Sequence, residues 1–375
     1  MCRKGLGRVT VDSEEVKFYF SVQCTKSQFN CLSLWCLYLS APSSRRIVIL
    51  GKTGDGKSSV GNTIFGTEQF DISHSFNSGE SPCQAKTQHL NGKEITLIDT
   101  PGFFDTKIPE KKLKPEIVRC ITECLPGPHA FLIVIKYGRF SKQENEIFNQ
   151  ITEYFSEEVF KFATIVFTHG DNLPEGKKIK DYISHNANLS ELVKKCGGRC
   201  HVIDNKYWNK DSDNPYRTNS YQVNKILESI EEIVNANDGN CYTNEMLKIV
   251  DKIKKHEEKQ IANSSGNMSE EETRQEAKNR VWKFLTKVAG ISTGLLLGAF
   301  FGAVRACLAF ISLFKSVGNL DAAASGINVA AAALTNSAGT GTGITSTTVA
   351  GTVGITVAAV LGAGSKEDIR GTVEF

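Results

Sequence analysis

From Arg46 onward, short uninterrupted apolar runs alternate with longer stretches whose apolar residues recur at helical spacing. The runs predict strands at 47–50, 95–98, 130–135, 163–167 and 200–203. The stretches between them predict a helix that begins near Lys57 and further helices at 115–124, 142–155, 179–195 and 222–234. Apolar strands that alternate with amphipathic helices are typical of an α/β domain, with a mostly parallel sheet and helices on both faces. We place this domain at 45–240.

The segments on either side have a different character. Residues 1–44 contain an apolar run at 31–39, which is too short to span a membrane, and we treat them as an N-terminal extension of unknown role. Residues 241–283 are rich in Glu and Lys and predict a helical extension, with solvated helices that pack on the α/β domain or project from it.

Residues 284–375 form a Gly- and Ala-rich hydrophobic tail. Residues 288–304 carry no charge, and four glycines recur there at every fourth position: Gly290, Gly294, Gly298 and Gly302. This spacing puts the glycines on one helix face, where a second helix could approach closely. We expect the protein to be cytoplasmic and its residues 284–314 to associate with an intracellular membrane. They would do so either as one helix that runs through Arg305 or as a hairpin. The alternative is a buried, alanine-rich helical domain that never meets lipid.

Composition narrows the function classes. The chain of 375 residues is 40% hydrophobic and 23% charged, with a net charge of +3, and this balance is too mild to predict nucleic-acid binding. The 11 cysteines lack the paired spacing of a zinc site, so we expect reduced thiols.

A phosphate-binding motif lies between the first predicted strand and helix. Residues 51–58 fit G-x-x-x-x-G-K-[ST], in which glycines let backbone N–H groups wrap a phosphate chain and the helix N-terminus adds its positive end. Lys57 would reach the β and γ phosphates, and Ser58 would ligate Mg²⁺. The nucleotide-binding residues predicted here are Gly51, Lys52, Thr53, Gly54, Asp55, Gly56, Lys57, Ser58 and Ser59.

Two more strands end in polar motifs. Asp99, at the end of the strand 95–98, could hold Mg²⁺ through water, and the Gly102 amide could sense the γ-phosphate. Asp171, in the sequence Thr168-His169-Gly170-Asp171, could accept hydrogen bonds from both N1–H and N2–H of guanine, which adenine does not offer. The motifs together predict a P-loop GTPase, although Asp171 could also be an ordinary helix cap.

The set of motifs resembles one family. The P-loop occurs in order with residues 99–104, 124–130, 168–171 and 199–206, and the sequence Pro-Gly-Pro-His-Ala at 126–130 is the most diagnostic piece. Over about 45–240 the chain is similar to the immunity-associated GTPases of the GIMAP (AIG) type, in the version closest to the fish-type members. The resemblance implies GTP and GDP as ligands, Mg²⁺, and nucleotide-dependent self-association into a homodimer or oligomer with a role in immunity.

The resemblance also assigns residues. It implies that His169 lies against the base and that Asn205 supplies the last base contact. Phe103 stands where many small GTPases keep a catalytic glutamine, so hydrolysis by the monomer should be slow. Arg139 matches an arginine that crosses a dimer interface in some relatives, and an ordinary exposed arginine is the alternative. The candidates for the first-switch residue are Ser81, which would then also be a metal ligand, and Thr87, and the sequence does not decide which of them, if either, closes on Mg²⁺.

Two other functions remain open at this stage. The G domain could merely gate a membrane-active tail, or the chain could be an ATP-using P-loop enzyme such as a kinase. Asp171 argues against the second function, because a carboxylate at that position selects guanine.

Overall fold

A computed structural model describes residues 44–72, 82–103, 108–138, 149–208, 214–264, 268–287 and 291–315. It also describes the backbone of two short antiparallel strands, Ser346–Val349 and Thr352–Ile355. Almost all of the predicted N-terminal extension and most of the tail beyond 315 lie outside the described residues.

The central sheet has six strands in the order β2-β3-β1-β4-β5-β6. Four neighbouring pairs are parallel, and only β2 runs antiparallel to its neighbour β3. The predicted mostly parallel α/β sheet is therefore confirmed. The strands are β1 (Arg45–Leu50), β2 (Gln84–Leu90), β3 (Lys93–Asp99), β4 (Ala130–Lys136), β5 (Ala163–Thr168) and β6 (Cys200–Val202).

Strand β2 has no counterpart in the sequence prediction. It contains one leucine and one alanine among polar residues, and most of its side chains are half-buried or exposed. It lies at the edge of the sheet and pairs with β3 on one side only. Because an edge strand has no second neighbour to cover it, it can form without an apolar run.

The helices fill the remaining connections between the strands and extend beyond β6. One predicted helix, 179–195, is two helices, because the Asn186 side chain accepts a hydrogen bond from Leu189 N at 3.1 Å and caps the second one. Residues 149–154 are helical, whereas 142–148 lie outside the described residues. The helices up to 236 are α1 (Lys57–Phe65), α2 (Glu110–Cys124), α3 (Glu157–Lys161), α4 (Ile179–Ser184), α5 (Ala187–Lys195) and α6 (Asn219–Ala236).

The charged extension forms two long helices, α7 (Glu245–Ser264) and α8 (Glu270–Lys287). Helix α8 packs on α2, where Trp282 Nε1 donates to the Pro115 carbonyl at 2.9 Å. The Lys278 ammonium pairs with the Glu123 carboxylate at 2.8 Å. Of the two arrangements that the sequence allowed, the structure has helices that pack on the α/β domain.

The apolar segment that follows is folded into the same core. Helices α9 (Thr293–Phe300) and α10 (Val304–Lys315) meet at a bend of 114°. Phe300 and Phe301 are fully buried, and both rings contact Phe131 in β4, with centroids 6.1 Å and 5.9 Å away. Phe131 is the second residue of β4, so the segment covers the amino ends of the parallel strands.

Gly302 follows the end of α9, so of the two arrangements that the sequence left open, one helix running through Arg305 does not form. Its φ is 80°, and a Cβ there would lie 2.7 Å from the Tyr242 hydroxyl. Gly298 does allow a close helix approach, because its Cβ would lie 2.8 Å from Cβ of Ala306 in α10. Among the described residues no single helix is long and apolar enough to cross a membrane, and the bent pair α9–α10 meets that criterion only when taken together.

Candidate functional site

The P-loop joins β1 to α1 at the carboxyl end of the sheet. Gly51 leaves β1 where a Cβ would lie 2.6 Å from the Val134 carbonyl oxygen of β4, so a side chain does not fit. Gly56 precedes α1 with φ 85°, which directs the helix N-terminus into the loop. The predicted nucleotide-binding residues 51–59 thus form one continuous turn at the end of a nine-residue helix, the geometry that binds phosphate groups in P-loop proteins.

Strand β3 brings Asp99 next to the first turn of α1. Ser58 Oγ donates a hydrogen bond to Asp99 Oδ2 at 2.5 Å, and Lys57 Nζ donates to the Lys52 carbonyl at 2.9 Å. Burial raises the pKa of Asp99, and the nearby Lys57 ammonium opposes that rise. Within the described part of the chain, Asp99 Oδ1 is buried without a hydrogen-bond partner. A hydroxyl and a carboxylate with an oxygen to spare fit the oxygen-ligand preference of Mg²⁺.

The segment after Asp99 is held to the sheet. Thr100 Oγ1 donates to the Ile49 carbonyl in β1 at 2.7 Å, and Gly102 and Phe103 are buried. Phe103 packs into the core and is 4% exposed, so its ring offers no polar group to a water molecule. The bond from Thr100 holds the start of this segment at the edge of the sheet where the P-loop lies.

The two candidate first-switch residues have different outcomes. Thr87 lies in the middle of β2, where its hydroxyl is 2.8 Å from the Thr96 hydroxyl across the strand pair. Thr96 lies three residues before Asp99, so this contact holds Thr87 away from the carboxyl end of the sheet. Ser81 lies outside the described residues, and so does Arg139.

The predicted base-binding residues follow β5 and β6. His169 adopts a left-handed conformation with φ 59°, and it turns the chain into the single turn that contains Asp171. A Cβ on Gly170 would lie 2.6 Å from the Trp208 ring, so this glycine lets the turn pack closely on the loop after β6. Asp171 N donates to Asp204 Oδ2 at 3.4 Å, which joins the two loops directly.

The imidazole of His169 is half-buried beside this turn. Burial lowers its pKa, the Lys136 ammonium lowers it further, and Asp171 and Asp204 act in the opposite direction. The ring is therefore neutral at pH 7 and can lie against an uncharged base. Its Nδ1 atom is 3.0 Å from the Thr168 hydroxyl, which fixes the plane of the ring.

Hydrogen bonds connect the end of β5 and the loop after β6, which carry the predicted base-binding residues, to the P-loop and α1. Thr168 Oγ1 donates to the Asp55 carbonyl at 2.9 Å. Thr63 Oγ1, in α1, donates to Asn205 Oδ1 at 3.0 Å. The structure thus brings Asp171, His169 and Asn205 to the same edge of the sheet as the P-loop.

Sequence reasoning missed the residues that support this arrangement. Asp204 accepts hydrogen bonds from the backbone of the following loop. Thr168 donates a hydrogen bond to the Asp55 carbonyl and so connects the end of β5 to the P-loop. The Arg217 guanidinium lies 5.2 Å from the Trp208 ring and donates to the Asp171 carbonyl at 3.3 Å. The available signal was that Thr168 ends β5 and Asp204 comes two residues after β6, at the edge where the carboxyl ends of parallel strands converge.

Comparisons with known proteins place this site in a family. The model described as "AIG1 family" matches residues 45–263. Immune-associated nucleotide-binding protein 10 of Arabidopsis thaliana is 32% identical over 241 residues, which are 63% of this chain and 49% of that protein. GTPase IMAP family member 8 of Homo sapiens is 31% identical over 202 residues, 54% of this chain and 29% of that protein. The matches therefore span about half of these relatives' length or less.

Among solved structures, Toc33 from Arabidopsis thaliana in complex with Mg²⁺ and GMPPNP is similar, with a TM-score of 0.40 and 18% identity. The similarity covers 56% of this chain and 92% of that chain. The family model, in contrast, spans more than half of the 375 residues and includes the P-loop, Asp99, Asp171 and Asn205. The chain therefore belongs to the AIG1 family.

Proposed function

We propose that this protein binds GTP and GDP with Mg²⁺ and hydrolyses GTP slowly as a monomer. The observation that supports the proposal best is the convergence of the P-loop, the Ser58–Asp99 pair and the Asp171 turn at one edge of the sheet. The hydrogen bond between Thr168 and the Asp55 carbonyl sets the distance between the phosphate-binding loop and the base-binding turn.

Each group has a definite task in this proposal. The N–H groups of the P-loop and Lys57 bind the phosphates, and Ser58 and Asp99 would hold Mg²⁺, which neutralises charge on the phosphate oxygens. The Asp171 carboxylate accepts N1–H and N2–H of guanine, His169 lies against the base, and Asn205 supplies the last base contact. Phe103 is buried in the core and has no polar group with which to orient the attacking water.

We further propose that nucleotide-dependent self-association supplies the missing group. A guanidinium at the γ-phosphate stabilises the charge that develops in the transition state, and Arg139 is the candidate by its position in the sequence. The test is the GTPase rate per molecule of the full chain against its concentration, with ATP as the control nucleotide. A rate that rises with concentration for GTP alone is expected, and Arg139→Ala should remove the rise.

The matched control is Arg274→Ala, because Arg274 pairs with Glu270 and Glu271 on an exposed helix face. If Arg139→Ala and Arg274→Ala both keep the concentration dependence, Arg139 is not the activating group. Equal use of ATP and GTP would remove the guanine-nucleotide proposal itself.

Membrane attachment forms the last part of the proposal, with a role in immunity by family association. The burial of α9 leaves α10 as the candidate contact, because Val304 and Leu308 are 72% and 61% exposed on its outer side. The full chain should float with phospholipid vesicles, and the double variant Val304→Asp, Leu308→Asp should float less. Ile72→Asp, at an exposed apolar residue elsewhere, is the control. If wild type and double variant float equally, α10 is not the contact.

A further inference from the structure

Asp204 is the most firmly held carboxylate near the base-binding turn. It is 3% exposed, and its backbone N–H and C=O both bond to the Asn219 side-chain amide, at 3.1 Å and 2.5 Å. Its Oδ1 accepts from the N–H groups of Lys206, at 2.9 Å, and Tyr207. A carboxylate fixed at its backbone and at one oxygen leaves the second oxygen in a defined place.

That second oxygen points at the guanine-reading turn. Asp204 Oδ2 accepts from Asp171 N at 3.4 Å, so the two aspartates lie next to each other. Two carboxyls can share a hydrogen bond only when one of them carries a proton. The backbone N–H donors stabilise the negative charge on Asp204, so a proton that the pair takes up in acid goes to Asp171.

The electrostatics agree with this geometry. Burial raises the pKa of Asp171, and the neighbouring Asp204 carboxylate raises it further. Burial alone would raise the pKa of Asp204, but the N–H groups of Tyr207 and Lys206 outweigh it, and the net pKa lies below its usual value. An Asp171 that holds a proton cannot accept both guanine N–H groups.

The surrounding charges do not cancel the pairing. His169 is neutral at pH 7, because burial and the Lys136 ammonium lower its pKa. The Lys206 side chain is exposed and lies over the Tyr207 ring, 5.0 Å from its centroid. The Arg217 guanidinium donates to the backbone carbonyl of Asp171. These contacts leave the negative charge of Asp204 beside Asp171.

We propose that Asp204 is a positioning residue for guanine recognition: it fixes the Asp171 turn through the Asp171 N–H, and its negative charge beside Asp171 makes nucleotide affinity fall in mild acid. This inference rests on the proposed binding of guanine nucleotides at this site. Affinity is full while Asp171 is ionised and is lost as the pH falls through its raised pKa, by up to about tenfold for each further pH unit.

The test compares the full-length wild type with Asp204→Asn by measuring GDP affinity in excess Mg²⁺ from about pH 8 to about pH 5. The asparagine oxygen can still accept from Lys206 N and Tyr207 N, so the loop stays in place while the charge is removed. We expect similar affinity at neutral pH and an acid loss displaced downward by about one pH unit or more. Asp204→Ala should weaken GDP binding at every pH, because both loop hydrogen bonds are lost.

The titration of GDP itself is common to both proteins, so the difference between the two curves reports the protein. If both bind GDP and the curves coincide, the role of Asp204 is refuted and the proposed function stands. If the wild type binds no guanine nucleotide at neutral pH, the function and the inference fail together.

A second measurement covers the case in which Asp204→Asn does not fold. The ¹³C resonance of the Asp171 carboxyl, identified by its loss in Asp171→Asn, can be followed against pH in the wild type. A pKa clearly above that of an ordinary aspartate, about 3.9, is expected. An ordinary value would refute the coupling between the two carboxyls.

Discussion

Phe301→Ala tests whether the apolar segment after 290 belongs to the core of the G domain. Phe301 is fully buried, its ring lies 4.3 Å from Phe155 and 4.8 Å from Phe300 between centroids, and its carbonyl accepts from Ser156 N at 2.9 Å. The change removes a buried ring but leaves the backbone hydrogen bond.

The magnitude follows from the burial. An aromatic side chain buries about 150–250 Å². At about 25 cal/mol per Å² this corresponds to roughly 4–6 kcal/mol, part of which alanine retains. Phe→Ala changes in cores cost about 3–5 kcal/mol once the cavity is included. We expect the same range here, which is a large share of the 5–15 kcal/mol that stabilises a typical domain.

The assay is urea unfolding of the full chain, followed by circular dichroism and by tryptophan fluorescence. Trp282 lies in α8 and Trp208 in the loop after β6, so the fluorescence reports on both ends of the molecule. We expect one common unfolding transition, and its urea midpoint should shift as a whole. Leu308→Ala is the control, because Leu308 is 61% exposed on α10 and should cost less than about 1 kcal/mol. If Phe301→Ala lowers the free energy of unfolding as little as Leu308→Ala does, the packing of Phe301 in the core is refuted.

Three further predictions concern the site and the core. Asp171→Asn should lower GTP affinity by about 100-fold or more, since two charge-assisted hydrogen bonds are lost, and should allow XTP to bind, because the amide can donate to the xanthine 2-oxo group; competition binding measures both. Ser58→Ala should abolish the gain in GDP affinity that Mg²⁺ provides over EDTA, and an unchanged gain would exclude Ser58 as a ligand. Burial, with the charges of Arg46 and Arg45, lowers the pKa of His129 to about 3. The folded state therefore favours the neutral ring. The contribution of the neutral ring to the free energy of unfolding is complete above the unfolded pKa of about 6.5, and we expect it to fall by about 2 kcal/mol between about pH 6.5 and about pH 5. His129→Gln should lessen that loss in urea unfolding, and an unchanged loss would contradict the assignment.

Contiguous patterns were predictable from the sequence, and contacts between distant segments were not. The strands β1, β4 and β5 are apolar on both faces, and the P-loop is a single run of residues, so one window of sequence contains the information. Asp204 and Asp171 are separated by 33 positions. The parallel pairing of β5 with β6 brings the two residues together, and the local sequence around neither residue predicts their contact.

The tail shows why hydropathy left two interpretations open. Residues 295–301 have the composition of a membrane segment, yet the same composition suits a helix that fills a core. Phe131 decides between them for these residues, because its ring needs a covering layer at the amino end of β4. Strand β2 illustrates the opposite case, since a polar edge strand forms through backbone pairing that no apolar pattern records.

The link from Thr168 to the Asp55 carbonyl has a consequence for ligand design. A group that orders the turn beside the base also restrains the loop around the phosphates, and the reverse holds as well. Guanosine and pyrophosphate, offered as separate fragments, should therefore assist each other's binding, with part of the ordering entropy spent once for both. An inhibitor directed at the base alone would also reshape the phosphate loop, although it never touches it.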